Sequence, residues 1–247
     1  MTTAPFSVIG KRVVVVGAAR SGIAAAQLLV RRGAKVTLSD VRPSLAESRE
    51  LEAGGIALEL GGHTLPTFTN ADLVVVSPGV PTRQPPIDAA RAAGATVIGE
   101  LELASRWLSG RIVAITGTKG KSTTTTLAGR MLEAGGLKVL VGGNIGNALS
   151  AQVDQSTPDT IHVIETSSFQ LEAIETFRPW VAVLLNFSPD HLDRHATVEE
   201  YAAAKGRIFE NQAESDWVVL NADDPASLDI ARNVRAQRLL VSVGESL

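Results

Sequence analysis

Cysteine is absent from the 247-residue chain. Disulfides and thiol catalysis are therefore excluded, and the composition fits a reducing compartment. An excess of positive charge is missing too: 23 Lys and Arg stand against 26 Asp and Glu, a net charge of -3, with the basic residues scattered. No nucleic-acid surface is expected from that distribution, although a helix N-terminus can hold phosphate in an acidic protein. No apolar run reaches the roughly 18 residues of a membrane span, and Met1 to Lys11 lack the basic-then-apolar order of an export signal. The default expectation is a soluble cytoplasmic protein with no membrane insertion. Internal repeats and low-complexity tracts are also lacking.

What is present is alternation. Short β-branched runs alternate with Ala- and Leu-rich helical segments, which signals an α/β fold of parallel strands joined by crossover helices. Ten strands are expected: Arg12 to Val16, Lys35 to Ser39, Asp72 to Ser77, Thr96 to Ile98, Ile112 to Thr116, Lys138 to Val141, Thr160 to Ile164, Val181 to Asn186, Trp217 to Asn221 and Arg238 to Val243. Two sheets accommodate these better than one. The expected domains are 1–110 and 111–247.

The most informative stretch is Gly117-Thr118-Lys119-Gly120-Lys121-Ser122-Thr123, between an apolar strand and a helix. Such a turn gathers backbone N–H groups, a lysine and a hydroxyl, as a nucleotide triphosphate with magnesium requires. The strict phosphate-loop pattern places glycine where Ile115 stands, so the match is to a variant form. An ordinary Gly-rich turn is the competing reading, and it leaves Lys121 and Ser122 directly after Gly120 unexplained.

A second phosphate-type turn, Gly17 to Gly22, follows the first strand, and Asp40 ends the next strand. It resembles the dinucleotide fingerprint but has Ala19 in place of the second glycine, which normally admits the pyrophosphate. A nucleotide diphosphate at this helix start, with Asp40 on a base or ribose, is preferred over an intact dinucleotide site. A tight turn with no ligand remains the alternative.

Three further clusters lie at C-terminal strand ends, where ligands bind in open parallel sheets. In Glu165-Thr166-Ser167-Ser168-Phe169-Gln170-Leu171-Glu172, Glu165 stands where a magnesium-binding carboxylate would sit, or serves as a helix N-terminal acid. Asn186 to His195 packs two histidines, two aspartates and an arginine into ten residues, with a solvated turn as the competing reading. Thr197 and Glu200 predict a capping box, and Lys205 shares a helical side with Tyr201. Taken alone, Lys205 reads as a surface lysine.

Together these residues resemble the Mur ligase family. The matching segments are GAARSG with Asp40, SPGVP (77–81), GELEL (99–103), GTKGKST, GGNIGNAL (142–149), ETSSFQLE, DHLDRH, YAAAKGRIFEN (201–211) and VVLNADDP (218–225), in family order. The resemblance implies a Rossmann-like N-terminal domain for a UDP-linked substrate and a P-loop ATPase-type central domain. It implies a cytoplasmic ATP-dependent ligase of peptidoglycan synthesis, tied to cell-wall biogenesis, cell shape and division. In that chemistry the carboxylate of UDP-N-acetylmuramoyl-L-alanine attacks the γ-phosphorus of ATP, and the D-glutamate amine displaces phosphate from the acyl phosphate. SSFQLE is the segment that points to D-glutamate among the sister ligases.

By the same resemblance, Gly117 to Thr123 bind ATP, with Lys121 on the β/γ-phosphates. Ser122 and Glu165 hold a first Mg²⁺, and His191 with Lys205, as a carbamate, serves a second. Asn144, Ser167 and His191 face the substrate. Ser21, Asp40, Arg42 and Gly79 hold the uridine end, and the full-length enzyme is expected to be a monomer.

Two positions depart from the family pattern: Lys119 replaces asparagine, and Thr166 replaces leucine after the metal glutamate. The resemblance also implies a C-terminal amino-acid-binding domain beyond Leu247, so the expectation is that this chain alone cannot ligate D-glutamate and leaves a sheet edge exposed. The alternative is a noncatalytic nucleotide- or UDP-sugar-binding Mur-like protein. A nicotinamide-dependent oxidoreductase leaves GTKGKST unused, and a folate polyglutamating ligase leaves the uridine-type turn unused.

Overall fold

Four consecutive valines, Val13 to Val16, are all buried, and that continuous apolar run is what a strand covered on both faces requires. In the computed structural model, which describes residues 6–244, this strand is β1 (Arg12–Val16) and lies at the centre of the first of two compact units, Met1–Trp107 and Leu108–Leu247.

The first unit adds β2 (Lys35–Asp40), β3 (Ile56–Leu60), β4 (Leu73–Val76) and β5 (Thr96–Gly99), all parallel in the order β3-β2-β1-β4-β5. Its helices are α1 (Arg20–Arg31), α2 (Ser48–Ala53), α3 (Leu65–Thr69), α4 (Pro85–Ala92) and α5 (Glu100–Ser105). The strand period of two divides the core. Val13 and Val15 pack with Ala25, Ala26 and Leu29 of α1, while Val14 and Val16 pack with Phe68 of α3 and Ile87 of α4. Each such valine contributes about 1.5–3 kcal/mol of burial.

The second unit is a parallel sheet of six strands: β6 (Arg111–Thr116), β7 (Lys138–Gly143), β8 (Thr160–Glu165), β9 (Val181–Leu184), β10 (Trp217–Asn221) and β11 (Gln237–Val241), in the order β11-β10-β9-β6-β8-β7. Its helices are α6 (Lys121–Ala134), α7 (Ser168–Leu171), α8 (Val198–Gly206) and α9 (Pro225–Ile230). The chain leaves β6 for β7 on one side and returns to β9 on the other. That reversal opens a crevice at the end of β6, where ligands of such sheets bind. Among the described residues β11 pairs only with β10, and it exposes Leu239, Leu240 and Val241.

The expected α/β class and ten strands are present, and β3 makes an eleventh that sequence reading missed. β9 ends at Leu184, so Asn186 belongs to the following loop. Among the described residues no helix is long and apolar enough to cross a membrane.

Candidate active site

At the end of β6 the backbone enters conformations that favour glycine: Gly117 has φ +150° and Gly120 φ +81°. A Cβ on Gly117 would sit 3.1 Å from Leu185 Cβ and 3.4 Å from the Asn186 backbone. The loop is held from across the crevice by Asn186. Its Oδ1 accepts the Thr118 and Lys119 amides at 3.1 and 2.9 Å, and its Nδ2 donates to Lys119 O at 3.0 Å. Thr118 Oγ1 donates to Ser188 O and accepts the Ser188 amide, both at 3.0 Å.

The Gly117 carbonyl collects two amino groups. Lys121 Nζ lies 3.1 Å from it and 2.9 Å from Thr118 O, and Lys205 Nζ lies 2.7 Å from it. Lys205 is 1% exposed, so the surface-lysine reading of the isolated helix is wrong. Burial above all, then the charge of Lys121, lowers its pKa to about 7, with Asp190 opposing. Its amino group stands 4.6 Å from the centre of the Tyr201 ring, as the shared helical side predicts.

Beside this pair, Ser122 Oγ donates to Glu165 Oε2 at 2.6 Å, and Asn144 Nδ2 donates to Glu165 Oε1 at 2.7 Å. Glu165 is 2% exposed and ends β8, outside the helix that starts at Ser168. Thr166, one of the two departures, donates its amide to Ile115 O at 2.9 Å and turns its hydroxyl toward the same oxygen at 3.4 Å. A polar side chain is thereby accommodated beneath the site. Lys119, the other departure, is exposed at the loop tip.

Ser167 caps α7 in a full capping box with Gln170. The box expected at Thr197 is only half formed. Thr197 Oγ1 accepts the Glu200 amide at 3.2 Å, but the Glu200 carboxylate takes the Ala196 amide at 2.9 Å instead of that of Thr197. His191 has φ +53° and an exposed ring 5.1 Å from Phe169 and 5.9 Å from Tyr201. Sequence reading gave His195 no role beyond membership of the Asn186–His195 cluster; its ring is buried between Ser168 Oγ at 3.0 Å and Glu172 Oε1 at 3.4 Å and stacked on Phe169. Sequence reading also passed over Asn186 as a loop clamp, although that residue stands at a strand-end position.

In the first unit Gly22 lets α1 start close to the turn, since a Cβ there would lie 1.8 Å from Gly17 O. Ala19 has ordinary extended geometry as the α1 N-cap. Asp40 accepts the Ala18 amide at 2.6 Å and is gripped by Arg42 through Nε and Nη2 at 2.9 and 3.0 Å. Those Arg42 hydrogen bonds, first of all, hold the Asp40 carboxyl well below the usual carboxylate range against the effect of burial. Ser21 stands in the first turn of α1, and Gly79 in an exposed turn after β4.

The two halves of this arrangement have counterparts in known proteins. The Mur ligase middle domain matches residues 115–246, and the N-terminal domain of MurD-like Mur ligases matches residues 11–99. Similar curated proteins named UDP-N-acetylmuramoylalanine--D-glutamate ligase occur in Koribacter versatilis, 51% identical over 94% of this chain and 52% of that protein, and in Acidobacterium capsulatum, 54% identical over 88% and 48%. The chain thus spans about half the length of the curated relatives it matches. Among solved structures, the UDP-N-acetylmuramate:L-alanyl-gamma-D-glutamyl-meso-diaminopimelate ligase of Neisseria meningitides shares the fold. Its TM-score is 0.64 at 20% identity, over 94% of this chain and 78% of that one. A middle-domain match over more than half of the sequence, on top of the phosphate-type loop and its carboxylate, places the chain in the Mur ligase family.

Proposed function

We propose that this chain serves the ATP-dependent joining of D-glutamate to UDP-N-acetylmuramoyl-L-alanine through an acyl phosphate. The observation that carries the reading is the Lys121 amino group, held at the Gly117 and Thr118 carbonyls beside the Ser122–Glu165 pair. A carboxylate attacking a triphosphate brings two anions together, so positive charge must be fixed in place before they meet. The choice of substrates follows the names of the relatives at about 50% identity.

The donor set suits the groups this reaction needs. When bound, ATP supplies the phosphoryl group and Mg²⁺ neutralises the charge that develops on it. Ser122 and Glu165 offer hydroxyl and carboxylate oxygens, the ligands Mg²⁺ takes, and Asn144 orients the carboxylate through its other oxygen. Gly117 to Thr123 would cradle the phosphates, with Lys121 turning from its backbone acceptors to the β/γ-phosphates.

Lys205 would assist a second Mg²⁺ with His191, and only as a carbamate, because an ammonium repels the ion. With its pKa drawn down to about 7, a large share of Lys205 is neutral amine near neutral pH. That form adds through nitrogen to the carbon of CO₂ and releases one proton, leaving a carbamate anion. Asn144, Ser167 and His191 would face the acceptor substrate, and Ser21, Asp40, Arg42 and Gly79 its uridine end.

Calorimetric titration of the chain with ADP, UDP-N-acetylmuramoyl-L-alanine and NADH tests this reading. Mg²⁺-dependent binding of ADP together with binding of the UDP compound is expected. Tight NADH binding, or ADP binding indifferent to Mg²⁺, would contradict it.

A further inference from the structure

Ser39, Glu59 and His63 form a polar cluster at the same sheet edge as Asp40, with no part in the chemistry described above. Ser39 and Glu59 are register partners on β2 and β3. Ser39 Oγ lies 2.9 Å from Glu59 Oε1 and 2.7 Å from His63 Nδ1. Glu59 also accepts from the Thr64 amide and hydroxyl, each at 2.9 Å, and from the Thr67 hydroxyl. Burial pushes its carboxyl up, but the hydrogen bonds from Thr67, Thr64 and Ser39 together outweigh burial and hold it below the usual range. Glu59 is thus an ionised group that only accepts.

That fixes the direction of the hydrogen-bond chain. Ser39 has one proton, and two acceptor oxygens 2.9 Å apart would repel unless it goes to Glu59. Only lone pairs of Ser39 Oγ then remain for His63, so the ring donates through Nδ1–H, a tautomer assigned from the network. A neutral histidine protonated on Nδ1 carries a bare lone pair on Nε2. The ring is half-buried, edge-on to Phe68 with centroids 5.6 Å apart. Its loop is laid along the Asp40 segment: the Gly61 amide donates to Arg42 O at 2.9 Å, and the Gly62 amide to Asp40 O at 3.3 Å.

We infer that His63 Nε2 accepts the N3–H of the uracil held beside Asp40, and that Ser39 and Glu59 are positioning residues that fix the tautomer needed for it. This rests on the proposal that the first unit holds a UDP-linked substrate. Cytosine presents a lone pair at N3, so a cytidine nucleotide would set lone pair against lone pair. The cluster therefore selects the base, whereas Asp40 and Arg42 hold the nucleotide whatever its base.

The test is a calorimetric titration of UDP, CDP and N3-methyl-UDP into the wild-type chain and into His63→Ala and Asp40→Ala. Wild type is expected to favour UDP over each of the other two by about five- to tenfold, the effect of one neutral hydrogen bond. His63→Ala is expected to bind UDP weaker by the same factor and to bind all three within about twofold, as a cycle on one contact requires. N3-methyl-UDP probes the unaltered protein, so the result does not depend on how a variant folds. Equal affinity of wild type for UDP and CDP, or an undiminished preference in His63→Ala, would overturn the inference while leaving the uridine site standing. No UDP binding at all, or binding undiminished in Asp40→Ala, would overturn the underlying proposal and the inference with it.

Discussion

Replacing Gly117 by alanine strikes the residue on which the phosphate loop turns. At φ +150° a side chain costs about 1–3 kcal/mol of backbone strain. The new Cβ would also lie 3.1 Å from Leu185 Cβ and 3.4 Å from Asn186 N and O, so the strand-end segment that clamps Thr118 and Lys119 has to give. Gly120→Ala is the control in the same loop. Its φ is +81°, and the nearest neighbour of a Cβ is Leu185 Cδ1 at 3.8 Å, an ordinary contact, leaving about 1–2 kcal/mol of left-handed strain. Hydrogen exchange of the β6 and β8 amides should show Gly117→Ala to be the more destabilising by about 1 kcal/mol, the difference between the upper ends of the two strain ranges. Because Gly117 opens the loop whose amides would cradle the phosphates, the ADP affinity of Gly117→Ala with Mg²⁺ should fall at least tenfold, about 1.4 kcal/mol. A Gly117→Ala variant as stable as Gly120→Ala, with unchanged ADP affinity, would refute the reasoning.

Other perturbations have equally definite outcomes. His162 is fully buried with Nε2 2.8 Å from Ser156 Oγ and Nδ1 without a partner among the described residues. Burial first, then Lys138, lowers its pKa to about 4. The unfolded histidine takes its proton near pH 6.5 and the folded one only near 4, so stability is full above 6.5 and declines as pH falls through that window. The loss is at most about 3 kcal/mol. Urea unfolding at pH 7 and 4.5 should show this decline in wild type and a smaller one in His162→Gln; identical declines would sink the assignment. Asn186→Ala removes the side-chain acceptor of the Thr118 and Lys119 amides but leaves Thr118 the Asn186 backbone oxygen; it should cost about 0.5–1.5 kcal/mol, read as lost exchange protection at the Lys119 amide with Thr118 largely retained. Lys119→Asn restores the family residue at an exposed loop tip and should leave ADP affinity within about tenfold; a larger loss would give this lysine a phosphate contact of its own.

Much of this was legible from residues whose role is local. The Val13 to Val16 run and the glycines at strand ends are each set by a few neighbours in sequence. The strand Ile56–Leu60 was not, because it reads Ile-Ala-Leu-Glu-Leu, with a poor strand former and an acid in the middle. Glu59 becomes tolerable there through the hydroxyls of Ser39, Thr64 and Thr67 and the Thr64 amide. Lys205 was visible through family resemblance alone, since nothing in Tyr-Ala-Ala-Ala-Lys-Gly says that the helix side carrying it will be buried against Gly117 and Tyr201. The Asn186 clamp spans 67 residues to Lys119, a separation at which spacing carries no signal. The incomplete box at Thr197 has the opposite cause: the motif was present, and the Glu200 carboxylate found the Ala196 amide in place of the one the pattern assigns.

In the proposed site Ser122 and Glu165 form the magnesium-binding side of a nucleoside triphosphate pocket. The most direct test is the ATP affinity of wild type and Glu165→Gln, each with and without Mg²⁺. Wild type should gain at least tenfold on adding Mg²⁺, about 1.4 kcal/mol, and Glu165→Gln should lose that gain while keeping its Mg²⁺-free affinity. An undiminished Mg²⁺ gain in Glu165→Gln would contradict the account.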